Sequence, residues 1–342
     1  MKEVTISDLE DLALGATVLG SGGGGDPAYE LLMAKQQFET HGPVMLVSIN
    51  DVPDQALVAP VSFMGAPLVG IEKLPSGREF VGILEMLSKL KGRSPTHLLS
   101  AEIGGSNAFT PLIVAGATGL PVIDGDTLGR AFPELQMSSC NLKGISPSPA
   151  IIGDSLNGVV AVNVPDATKV EQLCRKLTVE MGSSAAVSLY SMSGKEAKDA
   201  IIPGSITRAI EIGKALRMDS IDGLLEVTDG SLIGEGMITD IDQSIQEGFL
   251  KGTVTIEGLK TFKVFYQNEY LMLMQGEQRE AVTPDIIVLL EQNTGKPITS
   301  ESLSYGIRVQ IVVIPGPEIW KSPEGMKMVG PEYFGYNKEV NV

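Results

Sequence analysis

The feature that most constrains this chain is an alternation between Val44 and Ile123, in which short apolar, β-branched runs are separated by segments of helical period. Val44–Ile49 and Ala56–Phe63 read as buried strands, and Gly65-Ala66-Pro67 ends the second. Residues 78–90 form an amphipathic helical pattern, 96–101 a strand, 109–117 a helix and 121–123 another strand. Such an alternation predicts a parallel sheet, because each helix carries the chain back to the edge from which the previous strand began. Ahead of it, residues 6–18 have apolar positions at helical spacing, with Ser7 as N-cap and Glu10 as its capping-box partner. A glycine run, Gly22–Gly25, follows, and Asp26-Pro27 then reads as N-cap and first position of a second helix through about Phe38.

The pattern breaks at Ser146-Pro147-Ser148-Pro149, and residues 151–164 resume as strands around an Asn157-Gly158 turn suited to a hairpin. A boundary near Pro165 divides the chain into residues 1–165 and 166–342, enough for two cores. Residues 166–181 and 194–216 read as helical, and residues 230–314 alternate strand-like runs with glycine-containing turns. The expectation is an α/β N-terminal domain with a largely parallel sheet and a β-rich, mixed α+β C-terminal domain.

A formal net charge of −16, without a Lys/Arg cluster to offset it, argues against nucleic acid and against an anionic membrane surface. No run approaches the roughly 18–20 apolar residues that span a bilayer, and residues 1–12 carry acids where a signal peptide has basic then apolar residues. Cys140 and Cys174 have neither metal-type nor disulfide-framework spacing, which suits a reducing compartment. A cytoplasmic, homo-oligomeric protein is expected.

Three loops carry the candidate chemistry. The first is Gly22, Gly23, Gly24, Gly25 and Asp26, where glycines allow close backbone approach and the following helix start offers free N–H groups to an anion or a polarised carbonyl. It lacks the lysine of a phosphate-binding loop and does not follow a strand. The second and third are Glu102 with Asn107, and Asp124 with Asp126, each following a strand. In a right-handed βαβ unit these residues gather at the carboxyl edge of the sheet, where open α/β sheets bind ligands. Capping of the following helices is the alternative use of Asn107, Asp126 and Thr127. Arg130, directly after the acidic turn, suits either an acid of the cleft or a substrate carboxylate. Glu72-Lys73 reads as a solvated ion pair. With His41 and His97 the only histidines, a histidine-dominated zinc site and a Ser-His-Asp triad both lose their usual constituents. Cys140 is a minor nucleophile candidate.

Taken in order, LGSGGGGDP at 19–27, MGAP at 64–67, EKLPSG at 72–77, EIGGSNAF at 102–109, PVIDGDTLGRAFPELQM at 121–137, MGSSAA at 181–186, IPGSITRAI at 202–210, GTVTIEGL at 252–259, FYQNEYL at 265–271 and PITSESLSYGIRV at 297–309 resemble the S-methyl-thiohydantoin desulfurase family of bacteria and archaea. The resemblance implies an α/β domain followed by a β-rich domain, and an association with hydantoinase- or oxoprolinase-type proteins. It further implies hydrolysis of a hydantoin-type or S-methyl-thiohydantoin ring. Such a reaction needs an activated water and a proton donor, which two carboxylates in different environments supply. On that reading Asp124 or Asp126 is the base, Glu102 is the acid or accepts a ring N–H, and the Gly22–Gly25 amides meet a ring oxygen. Alternatively, Glu102, Asp124 and Asp126 hold a divalent metal ion that activates the water. A rival of another class is a non-catalytic subunit or sensor that binds a ring metabolite beside a hydantoinase-type partner.

Overall fold

The computed structural model describes residues 2–65, 79–246 and 248–336. The Glu72-Lys73 pair, the EKLPSG motif and the part of the Gly65-Ala66-Pro67 turn beyond Gly65 lie outside them.

The first sheet is built around four parallel strands in the order β2 (Val44–Val47), β5 (Val122–Ile123), β4 (His97–Ser100) and β3 (Leu57–Gly65). Their burial on both faces matches their continuous apolar sequences. Antiparallel strands extend the sheet at both ends. β1 (Lys2–Val4) pairs with β2, while β9 (Ser184–Ser188), β7 (Ala150–Gly153) and β8 (Val159–Val162) continue beyond β3, β10 (Met192–Ser193) also pairs with β3, and β6 (Gly125–Asp126) pairs with β11 (Ile202–Pro203) in a separate two-stranded sheet. Sheet membership therefore runs past Pro165: Ser184–Ser188 and the preceding helix Ala167–Glu180 pack with the first half of the chain.

The second sheet is antiparallel throughout, in the order β16-β15-β14-β13-β12-β18-β17, with β12 at Ser231–Gln246, β13 at Phe249–Glu257, β14 at Thr261–Gln267, β15 at Glu269–Gln275, β16 at Gln278–Val282, β17 at Ile286–Glu291 and β18 at Arg308–Ile314. The protein is thus a two-domain α/β molecule with a β-rich C-terminal half.

Two helices join these layers. Ile6–Leu19 and Ser205–Thr228 cross in near backbone contact, since a Cβ at Gly15 would lie 1.7 Å from the Ala209 carbonyl oxygen and one at Gly213 would lie 1.8 Å from that of Asp11. The Arg217 guanidinium then donates to both carboxylate oxygens of Asp11, at 2.7 and 3.0 Å. Leu9, Leu12, Ala16, Ile206, Ile212, Ile286, Val288 and Ile314 bury into one continuous core, so the helix pair is the shared wall of both domains.

Two local expectations shift. The first helix starts one residue beyond Thr5, whose N–H and hydroxyl both donate to Asp8, at 2.8 and 2.7 Å, instead of using Ser7 and Glu10. The helix expected over residues 194–216 is two helices, Gly194–Ala200 and Ser205–Thr228. Ile202–Pro203 between them is a short strand, because proline lacks an N–H and Gly204 adopts a left-handed conformation (φ 76°).

Candidate active site

Between the domains lies a cavity of about 350 Å³. Its N-terminal wall comes from the loop after β4, the turn before the Ala28–His41 helix and the end of β3. Its C-terminal wall comes from the β14–β15 turn and a short 3-10 segment, Ser300–Ser302. The size suits a small ring with substituents.

The glycine loop seats these walls against each other. The Ser21 carbonyl accepts from Tyr270 N at 2.6 Å, and the Gly22 carbonyl accepts from Ser300 N at 2.7 Å. The Ser21 hydroxyl donates to the Ile287 carbonyl oxygen at 3.1 Å. Gly22 (φ 84°) lies flat against the Tyr270 ring, and Gly24 (φ 75°) meets the backbone of Gly104 and Gly105, where any Cβ would clash. Of the four glycines expected to touch a ligand, Gly24 and Gly25 line the cavity, together with Asp26. Gly22 and Gly23 do not; the Gly23 N–H is spent on the Gly20 carbonyl.

Glu102 and Asn107 line the cavity together. Glu102 Oε2 accepts from Asn107 Nδ2 at 3.1 Å, and Oε1 from Phe132 N at 3.2 Å. Asn107 is otherwise saturated: its Oδ1 accepts from Phe63 N and the Thr110 hydroxyl, and Nδ2 also reaches the Phe63 carbonyl. It therefore orients Glu102. Burial pushes the Glu102 carboxyl up to about 7 against these hydrogen bonds.

Asp124, Asp126 and Arg130 fall outside the cavity lining, correcting the expectation of one acidic cleft. The region beyond the carboxyl ends of the strands is covered there by residues 202–207. Asp124 accepts from Thr207 N at 3.1 Å and from its hydroxyl at 2.6 Å, capping the first turn of the Ser205–Thr228 helix. Asp126 is fully buried, and its Oδ2 accepts from the backbone amides of Ile103, Leu128 and Gly129 at 2.8–3.1 Å. Burial raises it to about 6 despite these bonds. Arg130, also fully buried, donates to the carbonyl oxygens of Ala131, Tyr270, Pro284 and Asp285 and stacks over Phe132. It ties the C-terminal domain to the N-terminal one.

Glu102, Asp124 and Asp126 thus do not converge as a metal-ligand set, and among the described residues no group of three or more His, Cys, Asp or Glu side chains does so. Cys140 is fully buried with its thiol pushed up to about 12, so it is no nucleophile.

The sequence reading missed Glu269 and Glu301, although both stand in motifs quoted for the resemblance. Glu269 opens β15 after Asn268 (φ 58°) and is buried against Gly23, where an added Cβ would strike its carboxylate. Its Oε2 meets no hydrogen-bond partner among the described residues. Burial, reinforced by the charge of Glu102, drives its carboxyl well above the usual range, against the pull of Arg130. Arg130 itself falls only to about 10 and stays cationic.

A two-domain α/β protein with an acidic inter-domain cavity is the class these features define. The chain belongs to the S-Me-THD-like family: the model of that family's N-terminal domain matches residues 7–164 and that of its C-terminal domain residues 165–341. The crystal structure of a Chromobacterium violaceum protein is similar over 98% of this chain and 97% of that one, with a TM-score of 0.81 at 22% identity, which shows a common fold. No curated protein matches the sequence. Among the described residues, no helix is long and apolar enough to cross a membrane.

Proposed function

We propose that this protein hydrolyses the carbon–sulfur bond of an S-methyl-thiohydantoin-type ring, with Glu102 as base and Glu269 as acid. The observation that carries this reading is the meeting of two carboxyls in unlike environments at one cavity. Glu102 is held by two donors that favour its ionised form, and Glu269 is buried with its Oε2 unpartnered among the described residues, which favours its protonated form.

Glu102 takes a proton from water as the oxygen bonds to the ring carbon bearing sulfur. The C=N electron pair moves to the ring nitrogen, which takes the Glu269 proton. Collapse of the tetrahedral centre breaks the C–S bond. Methanethiolate leaves with the proton held by Glu102, and the hydroxyl proton returns to Glu269 as the carbonyl forms. Water and the S-methyl ring become hydantoin and methanethiol, and both acids are reset. Arg130, buried nearby, limits the cost of the negative charge on this pair. The two buried free cysteines fit a cytoplasmic setting for this chemistry.

Incubation of the purified chain with an S-methylated thiohydantoin tests the reading. Equal amounts of free thiol and hydantoin are expected. Tight ring binding with no thiol released would instead support a non-catalytic subunit beside a hydantoinase-type partner.

A further inference from the structure

The backbone of Glu102 is held at three successive groups, and two of those holds come from Asp126 and Thr127, which follow the neighbouring strand β5. The Ala101 carbonyl, just before Glu102, accepts from Thr127 N at 3.3 Å and from the Thr127 hydroxyl at 2.7 Å. The carbonyl of Glu102 itself accepts from the Ser100 hydroxyl at 2.7 Å. The amide just after it, on Ile103, donates to Asp126 Oδ2 at 2.9 Å. That same oxygen takes the Leu128 and Gly129 amides at 3.1 and 2.8 Å, so it fixes the start of the loop whose Phe132 amide reaches Glu102 Oε1. Trp320 secures this loop from the other side, its ring N–H donating to the Leu128 carbonyl at 2.7 Å.

We propose that Asp126 and Thr127 are positioning residues for Glu102, setting where its carboxylate stands in the cavity; this rests on the ring-hydrolase reading above. Asp126 is fully buried outside the lining, and the Thr127 hydroxyl is spent on Ala101, so both act through Glu102. A carboxylate is a costly acceptor to bury, and a neutral oxygen could take the same amides. What the carboxylate adds is charge. It grips the amides more firmly, and it opposes ionisation of the adjacent Glu102, which makes Glu102 a stronger base near neutrality. The other charges facing Glu102 are Arg130, which pulls the opposite way, and Glu269. Around Asp126 stand the Ser205 hydroxyl and the buried Cys140 thiol. Misplacing a reacting group by about 1 Å costs on the order of a hundredfold in rate, so these holds bear on turnover more than on ring binding.

The test is the pH profile of thiol release by Asp126→Asn, which keeps an oxygen for the three amides and removes the charge. Its kcat/KM inflection is expected about half a pH unit or more below that of the wild type. Asp124→Ala, which removes a helix cap, is the control and should leave the inflection in place. An Asp126→Asn inflection at the wild-type position overturns the assignment of Asp126, whatever happens to the melting temperature. Thr127→Val keeps the side-chain shape and drops the hydroxyl; it should lower kcat about tenfold with KM within about threefold. Wild-type kcat in that variant overturns the assignment of Thr127, and if Asp126→Asn does not fold, Thr127→Val decides the proposal alone. If no ring is turned over, the hydrolase reading fails by itself, and Glu102 is titrated by carbon-13 NMR in protein labelled at its glutamate carboxyls, with its signal identified by loss in Glu102→Gln. A midpoint lowered in Asp126→Asn then upholds the proposal; an unchanged midpoint overturns it.

Discussion

Two regions of this molecule use carboxylates in opposite ways. After β5, Asp124 accepts hydrogen bonds from Thr207 and Asp126 Oδ2 accepts from the amides of Ile103, Leu128 and Gly129, so these oxygens hold backbone, and neither side chain lines the cavity. Across the cavity, Glu102 is oriented by Asn107 and Phe132, while Glu269 retains an oxygen without a partner. The first arrangement lowers the energy of the empty protein. The second leaves it raised until a ligand arrives. A carboxylate at a sheet edge is therefore diagnostic of chemistry only when an unclaimed lone pair lies in a cavity that a ligand can enter.

The sharpest way to break this contrast is Glu269→Gln. It should lower turnover of the S-methyl ring by about a hundredfold to ten-thousandfold, the range for loss of a proton-transferring group, with no loss of thermal stability. Wild-type turnover in that variant would put Glu269 with the structural acids. Arg130→Met should act mainly on stability, by roughly 3 kcal/mol or more in chemical denaturation, because four carbonyl oxygens, three of them in buried bonds, each lose a donor. An unchanged denaturation midpoint would show that the inter-domain seam does not depend on it.

The Glu102 carboxyl supplies a pH test with two signs. As base, it should make kcat/KM rise with pH to a plateau above an inflection near pH 7, and Glu102→Gln should remove that inflection with the activity. Stability should move the other way. The folded carboxyl is raised from 4.5 to about 7, so the folded state holds the proton more tightly than the unfolded one. Its stabilising contribution is complete below pH 4.5 and is lost as pH climbs through 7. Melting curves from pH 4.5 to 8 should fall less steeply in Glu102→Gln than in the wild type; parallel curves would contradict the shift. The smallest effect is expected from Asp124→Ala, about 1–2 kcal/mol of stability with turnover within roughly threefold. A hundredfold loss of turnover at unchanged stability would return Asp124 to the catalytic machinery.

The parallel centre of the first sheet was legible because its strands are continuous apolar runs and their helices keep a clean period; each of the four parallel strands falls within a residue or two of its run, whereas Lys2–Val4 and Ser184–Ser188 were not foreseen. The break at Pro203-Gly204 was also written in residue chemistry, and the longer apolar period around it masked that signal. The candidate site was legible in half. Topology placed Glu102 and Asn107 correctly at the end of a parallel strand, and it placed Asp124 there too. It is silent about what covers that end, and residues 202–207 arrive from far along the chain. Glu269 and Glu301 come from a turn and a 3-10 segment of an antiparallel domain, for which no rule relates strand order to ligand position. A glutamate in FYQNEYL or PITSESL looks like any surface acid until the fold buries it.

The bond from the Ser21 hydroxyl to Ile287 spans 266 residues. During synthesis at roughly 5–20 residues per second, the N-terminal glycine loop emerges on the order of tens of seconds before the strand it must meet. Throughout that interval the half-cavity holding Glu102 lacks its opposite wall, so it can neither enclose a ring nor exclude water from one. On the proposed hydrolase reading, catalytic competence is consequently acquired late, when the last sheet docks, and a chain truncated before that strand is expected to be inert however well its first domain had folded.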